Sequence, residues 1–214
     1  MAWSTSKGFD FRATLANNTD PTNCQFVNGS ASYPTTKTIG GDSVTYGWET
    51  PPSGSDDRTS GIIDARLDGI NYGYLSNGTF RVDLPSSGNY TVNLAIGDGT
   101  SSQTNHLFSI HDTNSVLQSW GPFSTATDHF VDATSTDYSA AAWPGSQAPS
   151  GSLAFATTIF RLVLLSTVTY TTIAHLNINV AGGAPSGGLF MQTPMNGLGV
   201  GGPFFANPLG YPVR

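Results

Sequence analysis

Charged residues are scarce in this chain. Lys, Arg, Asp and Glu make up 10% of its 214 residues, compared with roughly 25% in ordinary soluble domains. Only eight residues are Lys or Arg, they form no cluster, and the net charge is −6. Nucleic acids and anionic membrane surfaces are both recognised through basic patches. We therefore expect neither a nucleic acid nor a membrane as a partner.

Cysteine is nearly absent as well. Cys24 is the only one, which excludes a disulfide framework within the chain. Because no local motif supports a nucleophile, we expect Cys24 to be a small, buried or half-buried thiol. The four histidines are scattered and no His/Cys spacing indicates zinc, so we predict no metal and no cofactor. A structural calcium is the alternative, since Asp10, Asp42 and Asp98 lie near strand ends.

The sequence lacks a long apolar run. The longest, residues 159–168, is interrupted by Arg161 and Ser166 and is too short to span a bilayer. The chain begins Met-Ala-Trp-Ser-Thr-Ser-Lys, with no apolar segment after a basic start. This beginning predicts no secretory signal and therefore synthesis in the cytoplasm.

Helical periodicity is also missing, whereas alternation of apolar and polar residues recurs along the chain. Residues 79–84 and 90–96 alternate clearly, and Ser86-Ser87-Gly88-Asn89 between them predicts a hairpin turn. Further strands are predicted at 9–13, 44–48, 107–111, 116–120, 130–131, 153–165 and 172–180. The polar stretches 50–60 and 141–152 are interpreted as loops, and the only helix candidates are short pieces at 60–67 and 139–143. Eight or nine strands at these spacings predict an all-β fold, a β-sandwich over residues 1–181.

The last 33 residues, 182–214, have an unusual composition. They contain nine Gly, five Pro and a single charged residue, Arg214, together with many large apolar side chains. Gly and Pro at this density exclude a helix or a regular central strand. Because an apolar, irregular segment in water would aggregate, we expect an extended arm that docks on its own domain or on a neighbouring copy. The predicted anchors of this assembly arm are Phe190, Met191, Phe204, Phe205 and Tyr211.

The string Gly41-Asp42-Ser43 resembles the Gly-Asp-Ser block of the SGNH esterases. A serine nucleophile needs a base, and the base needs an orienting carboxylate. No histidine here has an aspartate three residues before it, and the sequence shows no alternating α/β pattern. We predict a protein that is not an enzyme, with an esterase acting through Ser43 as a remote alternative.

Paired carboxylates could in principle cleave glycosidic bonds. The candidates are Glu49, Asp56, Asp57, Asp64, Asp68 and Asp83. Turn and surface positions explain each of them better, so we predict no catalytic residues.

Aromatic side chains could stack on sugars. The candidates at strand ends and in loops are Trp48, Tyr72, Tyr74, Trp120 and Trp143. Burial in the core is the alternative for any one of them. Tyr72 and Tyr74 lie in a turn-rich stretch, residues 68–74, which favours their exposure.

Three segments together carry a resemblance to known proteins. They are Gly8-Phe9-Asp10-Phe11-Arg12, Thr79-Phe80-Arg81-Val82-Asp83-Leu84-Pro85 and Gly88-Asn89-Tyr90-Thr91-Val92-Asn93-Leu94-Ala95-Ile96-Gly97-Asp98. Residues 8–180 resemble the malectin-like, galactose-binding-like jelly rolls found beside pectin-degrading enzymes. They also resemble uncharacterised structural proteins of tailed bacteriophages. The first resemblance implies a β-sandwich that binds carbohydrate through loop aromatics, without assigning binding residues here.

The resemblance and the arm together lead to a functional hypothesis. We predict a structural or decoration protein of a bacteriophage virion, in the head (capsid) or the tail. Its arm would tie it to further copies in a homo-oligomer and to other virion proteins. The alternative is a carbohydrate-binding module for adsorption to the host surface, with Trp48, Tyr72, Tyr74 and Trp120 as possible glycan contacts.

Overall fold

The computed structural model describes residues 2–14, 23–58, 65–143, 152–165 and 170–180. These segments form the strands β1 (Lys7–Phe11), β2 (Cys24–Val27), β3 (Thr35–Ile39), β4 (Asp42–Thr50), β5 (Gly54–Asp57), β6 (Gly69–Gly73), β7 (Gly78–Asp83), β8 (Gly88–Asp98), β9 (Gln103–Asp112), β10 (Ser115–Thr125), β11 (His129–Val131), β12 (Asp137–Ser139), β13 (Ser152–Phe155), β14 (Ile159–Leu165), β15 (Thr171–Ile173) and β16 (His175–Val180). The predicted arm, residues 182–214, with its anchors Phe190, Met191, Phe204, Phe205 and Tyr211, lies outside the described residues.

Alternation in the sequence translates directly into strands with two different faces. Along β7, Phe80 and Val82 are buried, whereas Arg81 between them is partly exposed. β14 shows the same pattern, with Phe160 and Leu162 buried. Because successive side chains in a strand point to opposite faces, each of these strands presents one apolar face to a core.

The strands pair into three sheets. The first sheet has the order β12-β11-β8-β16-β1-β2, with β13 also paired to β8. The second sheet has the order β10-β9-β14-β7-β4-β3, and the third, smaller sheet has the order β15-β6-β5. The named pairs are antiparallel, except for β1 and β2, which run parallel. The register places Phe9 opposite Leu176 in the first sheet and Leu162 opposite Ile110 in the second.

The main core lies between the first and second sheets. Its aromatic centre is Phe80 of the second sheet, whose ring centroid lies 5.3 Å from that of Phe9 and 5.1 Å from that of Phe11. Both partners belong to the first sheet. Such edge-to-face contacts add to the roughly 2 kcal/mol that burial of each large apolar side chain contributes.

The chain crosses repeatedly between the two large sheets, from β7 to β8 and from β8 back to β9. This confirms the predicted all-β, jelly-roll type β-sandwich. The predicted hairpin at residues 86–89 is wrong, because β7 and β8 belong to different sheets. Both strands turn their apolar faces to the same core, so the turn joins two layers instead of two neighbours in one sheet.

Some predicted elements differ in extent. The predicted strand at 153–165 is two strands, β13 and β14, and the stretch 50–60, predicted as a loop, contains β5. The described parts of the two helix candidates contain the 3-10 turns Ala65–Leu67 and Ala140–Ala142, and residues 60–64 of the first candidate lie outside the described residues. In the segments that the structure describes, no helix has the length and hydrophobicity that crossing a membrane requires.

Candidate functional site: the tyrosine cleft

A cleft of about 280 Å³ opens where the third sheet meets the connection between β8 and β9. Its described lining residues are Asp56, Arg58, Ile70, Tyr72, Asp98, Ser101, Gln103, Tyr170 and Thr172. We call it the tyrosine cleft and include Tyr74, which stacks on Tyr170. Strands β5, β6 and β15 therefore position one wall, and the adjoining ends of β8 and β9 position the other.

Three tyrosine rings form the aromatic part of the cleft. The rings of Tyr74 and Tyr170 are stacked, with centroids 4.5 Å apart and an interplanar angle of 15°. Tyr72 meets Tyr170 edge-to-face at 5.4 Å. The pairing of Thr172 with Tyr72 aligns β15 with β6 and brings these rings together. Tyr74 and Tyr170 are each 39% exposed, so ring surface remains open to solvent.

An ionic network faces the tyrosines. Arg58 donates two hydrogen bonds to Asp98, from Nε at 2.7 Å and from Nη2 at 2.9 Å. Its Nη1 lies 2.7 Å from Asp56 Oδ2. Hydrogen bonding to Asp98 is the main cause that raises the pKa of Arg58, so this side chain stays charged. Because a bidentate arginine–carboxylate pair has a fixed geometry, the guanidinium is held in one orientation beside the cleft.

Asp98 is the buried end of this network, with a side chain that is 1% exposed. Burial alone raises the pKa of Asp98, but hydrogen bonds from Arg58 and from the Thr100 amide outweigh burial and lower it overall. The Thr100 amide donates at 2.9 Å. The base of the cleft therefore contains the buried negative charge of Asp98, which the positive charge of Arg58 compensates.

His106 connects the cleft to the second sheet. The Thr172 amide donates to its Nδ1 at 3.4 Å, which leaves Nε2 to carry the proton and donate to Thr125 Oγ1 at 3.0 Å. Burial lowers the pKa of His106 to about 4, so the ring is neutral at pH 7. The Thr172 hydroxyl donates to the Gly97 carbonyl at 2.8 Å, which ties β15 to β8 behind the cleft.

These groups are suited to binding. Both carboxylates of the cleft, Asp56 and Asp98, are engaged by Arg58, which leaves no paired acid and base. The described lining also places no histidine beside Ser101. Exposed ring faces next to oriented polar groups are typical of a site for a small polar ligand with an apolar face.

The structure brings together only some of the aromatic residues that the sequence singles out. Tyr72 and Tyr74 both lie at the cleft, where Tyr74 is exposed and Tyr72 is partly buried. Trp48 and Trp120 are buried, with 3% and 7% of their surface exposed, so the expectation that they are available to a glycan is wrong. Trp143 is buried as well.

The reason for the burial of the tryptophans is strand alternation. Trp48 is on the core face of β4, where its ring lies 5.2 Å from Phe80, and its indole N–H donates to the Asn28 carbonyl. Trp120 stacks on Phe108 at 4.9 Å and donates to the Ala133 carbonyl. Each indole thus has its polar atom satisfied inside the protein, as buried tryptophans normally do.

Sequence reasoning misses several residues of the cleft, among them Tyr170, Arg58 and Gln103. Tyr170 lies about a hundred positions from Tyr72, and no local pattern links the two. Arg58 belongs to a stretch interpreted as a polar loop. Gln103 begins β9, which is predicted only from its apolar residues further along the strand. Because charged residues are scarce in this sequence, the presence of an arginine is the feature that could have pointed to Arg58.

The Gly-Asp-Ser string does not form a catalytic arrangement. Ser43 is an exposed residue of β4, and Asp42 accepts a hydrogen bond from Lys7 Nζ at 2.7 Å. This bond lowers the pKa of Asp42 to about 2. The four histidines are hydrogen-bonded elsewhere, His106 to Thr125, His111 to Ser109, His129 to Asp137 and His175 to Asp10. The esterase alternative therefore finds no base for Ser43 among them.

The other acidic candidates are engaged in ion pairs or local hydrogen bonds. Glu49 binds Arg81 at 3.0 Å and Arg161 at 2.5 Å, and Asp68 lies 3.2 Å from Arg12. Asp56 pairs with Arg58, and Asp83 pairs with Arg81. Asp57 accepts hydrogen bonds from the Ala13 and Thr14 amides. Asp64 lies outside the described residues. The calcium alternative is not supported, because Asp10, Asp42 and Asp98 pair separately with His175, Lys7 and Arg58.

One cluster contradicts the expectation that the cysteine and the histidines are dispersed. Asp10, Cys24 and His175 offer a carboxylate, a thiol and an imidazole whose ligand atoms all lie within 4.8 Å of one another. No local pattern in the sequence indicates this group, since strand pairing alone brings His175 to residues that lie at least 151 positions before it. Among the described residues this is the group that could hold a metal ion.

Comparison with known proteins does not identify a family for this chain. No family model and no curated protein sequence matches this chain. Among solved structures, it is similar to the mannan-binding module from Man5C in its bound conformation, with 18% sequence identity and a TM-score of 0.30. The match covers 71% of this chain and 90% of that one. The fold assignment rests on the strand pairing described above, and the functional argument rests on the cleft.

Proposed function

We propose that this protein binds carbohydrate through the tyrosine cleft. The observation that carries the proposal is the stacked, half-exposed pair of Tyr74 and Tyr170 beside the network of Arg58, Asp56 and Asp98. The fold only provides the framework, because jelly-roll sandwiches serve many functions.

Sugars have two kinds of surface, and the cleft has a counterpart for each. A pyranose ring presents apolar C–H groups on its faces, which pack on aromatic rings, and hydroxyl groups around its rim. Tyr74 and Tyr170 offer open ring surface for the faces. Arg58, Asp56 and Gln103 offer donors and acceptors for the hydroxyls.

The size of the cleft narrows the ligand class. Its volume of about 280 Å³ is near the lower end of the roughly 300–1,000 Å³ that is usual for small-molecule sites. We infer that it holds one sugar unit, either alone or as part of a longer glycan. Because Asp98 holds Arg58 in place before binding, less side-chain entropy is lost when a ligand docks.

A glycan array probed with the full-length protein tests this proposal. It should include α- and β-linked oligosaccharides of glucose, galactose, mannose and rhamnose. Calorimetric titration with the best-bound oligosaccharide then compares the wild type with Tyr74→Ala and Tyr170→Ala. Loss of either ring should weaken binding roughly tenfold or more.

Val116→Ala is the matched control. Val116 is an exposed apolar residue, 56% accessible, at the far end of the β9–β10 hairpin from Gln103. This variant should bind like the wild type. The proposal fails if the array shows no bound glycan, or if both tyrosine variants bind as tightly as Val116→Ala.

We further propose that the protein is a structural or decoration component of a bacteriophage particle, with carbohydrate binding serving adsorption to the host. What supports this is the composition of residues 182–214 and the resemblance of residues 8–180 to phage structural proteins. In this proposal residues 1–181 form the rigid domain. The apolar arm docks on neighbouring copies and on other virion proteins.

The assembly role is tested in the full-length chain by changing the arm's aromatic anchors together to serine. The anchors are Phe190, Phe204, Phe205 and Tyr211. This variant should fold but lose self-association, measured as mass in solution, and incorporation into particles. Tyr170→Ala should assemble normally, which separates the two functions. Normal incorporation of the serine variant would rule out a role of the arm in assembly.

A further inference from the structure

Three strands of the first sheet bring Asp10, Cys24 and His175 to one place. The antiparallel pairing of β1 with β16 sets Asp10 opposite His175. The parallel pairing of β1 with β2 sets Cys24 beside Gly8, two residues before Asp10. Since Phe9 of β1 points into the main core, the residues on either side of it project from the opposite face of the sheet.

Gly8 makes room for this cluster. A methyl group built on Gly8 would overlap the Cys24 sulfur and would lie 3.3 Å from Cε1 of His175. The thiol therefore extends into the space that a side chain at position 8 would occupy. Any larger residue there would push the thiol away from the imidazole.

The cluster is closely spaced and mostly enclosed. His175 Nδ1 lies 2.5 Å from Asp10 Oδ1, and the two side chains are 1% and 2% exposed. Cys24 is half-buried, so the cluster is accessible from the side of β2. The ring of Trp143 lies edge-on to His175 at 5.6 Å and shields the imidazole.

We propose that Asp10, Cys24 and His175 form a binding site for a transition-metal ion of the zinc type. Cysteine sulfur, histidine nitrogen and carboxylate oxygen are the three protein ligand classes of Zn²⁺. A thiolate disfavours the hard ions Ca²⁺ and Mg²⁺, which prefer oxygen ligands only. One thiolate and one carboxylate also balance the charge of a divalent ion.

The spacing suits a four-coordinate ion. Around tetrahedral zinc, with bonds of about 2.0–2.3 Å, ligand atoms lie about 3.5 Å apart. The present separations all lie within 4.8 Å, and the 2.5 Å between His175 Nδ1 and Asp10 Oδ1 would open by about 1 Å when both atoms bind the ion. Three protein ligands leave the fourth position for water or an external ligand, on the half-buried side of Cys24.

Binding displaces a proton and does not need the tyrosine cleft. The ion takes the place of the thiol proton of Cys24, which passes to solvent, and the ring nitrogen of His175 that binds the ion passes its proton to the other ring nitrogen, so the imidazole stays neutral. None of the three residues lines the tyrosine cleft, so this site stands independently of the proposed carbohydrate binding.

Titration of the full-length, reduced and chelator-treated protein with Co²⁺ tests the site. Bound Co²⁺ should give a thiolate-to-cobalt charge-transfer band together with intense visible bands of tetrahedral geometry, and Zn²⁺ should displace it. Cys24→Ser should remove the charge-transfer band, and His175→Asn should weaken binding roughly tenfold or more. His129→Asn is the matched control, since His129 also contacts a carboxylate, that of Asp137 at 3.1 Å, but lies on β11.

A second measurement needs no substitution. Because Cys24 is the only cysteine, an alkylating reagent reports on this position alone. Zn²⁺ should slow its alkylation roughly tenfold or more, and a chelator should restore the rate. The proposal is wrong if Zn²⁺ leaves the alkylation rate unchanged, or if Co²⁺ binds without a sulfur band or equally well to Cys24→Ser.

Discussion

The aromatic core of the sandwich and the tyrosine cleft use similar ring contacts in different settings. In the core, the Phe80 centroid lies 5.1–5.3 Å from those of Phe11, Trp48 and Phe9. In the cleft, the Tyr170 centroid lies 4.5 Å from Tyr74 and 5.4 Å from Tyr72. The core rings of Phe80 and Trp48 are at most 3% exposed, whereas Tyr74 and Tyr170 are each 39% exposed.

This difference shows why aromatic content alone does not locate a binding site. The rings of Phe9, Phe11, Trp48 and Phe80 on the two large sheets face each other and are at most 3% exposed. The third sheet has no facing layer over Tyr74 and Tyr170 among the described residues, so their stacking leaves ring surface uncovered. An ion-pair network beside that surface then supplies polar partners. The following predictions test this contrast, beginning with the largest expected effect on stability.

Phe80→Ala should be the most damaging substitution. It removes a fully buried ring that contacts aromatic residues of both large sheets, and leaves a cavity. We expect the free energy of unfolding to fall by about 4 kcal/mol. Denaturant titration measures it. A loss below about 1 kcal/mol would show that the core aromatics are as dispensable as those of the cleft.

Arg58→Met should lower the free energy of unfolding by about 3 kcal/mol, which is less than the effect of Phe80→Ala. The reason is that it leaves the buried charge of Asp98 without its cation. The double variant Arg58→Met/Asp98→Asn removes that charge and should recover part of the loss. Both values come from denaturant titrations at pH 7. If the double variant is no more stable than the single one, Arg58 contributes through packing and not through charge compensation.

The pH dependence of stability should report on His106, which links the second sheet to the cleft. Its pKa in the folded state is about 4, below the ordinary 6.5. Between pH 4 and pH 6.5, unfolding therefore takes up a proton on this histidine. The contribution of His106 to the free energy of unfolding is fully present above pH 6.5 and declines as the pH falls towards 4. The slope should reach at most about 1.4 kcal/mol per pH unit.

His106→Gln is the control for this pH effect. Glutamine preserves polar contacts to Thr125 and Thr172 without a titrating group. Its stability should depend less on pH between 4 and 6.5 than that of the wild type. An unchanged slope would assign the pH dependence to other groups.

Tyr170→Ala should have the smallest effect on stability, below about 1 kcal/mol, since the ring is partly in solvent already. The same variant should lose glycan affinity, in contrast with Phe80→Ala, which acts on folding. Parallel denaturant and calorimetric titrations measure both. A destabilisation as large as that of Phe80→Ala would mean that the cleft tyrosines are structural.

Several of the long strands can be predicted from the sequence. β7 follows from alternation because it buries one face and exposes the other, and β8 and the β9–β10 hairpin follow from the alternating segments within them, although β8 is buried on both faces from Val92 to Asp98. The Tyr72 and Tyr74 pair could also be predicted, since glycines and polar residues around it favour exposure. Two of the three tyrosines of the cleft are thus identified without a structure.

The rest depends on contacts between distant segments. Whether residues 86–89 close a hairpin or cross between sheets depends on which partner each strand finds, and both choices share one local pattern. Tyr170 joins Tyr72 only through the β6–β15 register. Likewise, His175 meets Asp10 only through the β1–β16 register, so the proposed metal site has no sequence motif.

Amide chemical-shift mapping of the full-length protein tests the carbohydrate-binding account most directly, with the oligosaccharide that the array identifies as titrant. The account predicts that the largest shifts fall on residues 69–74, 98–103 and 170–172, which surround the tyrosine cleft. Shifts concentrated elsewhere, or none at saturating oligosaccharide, would contradict it.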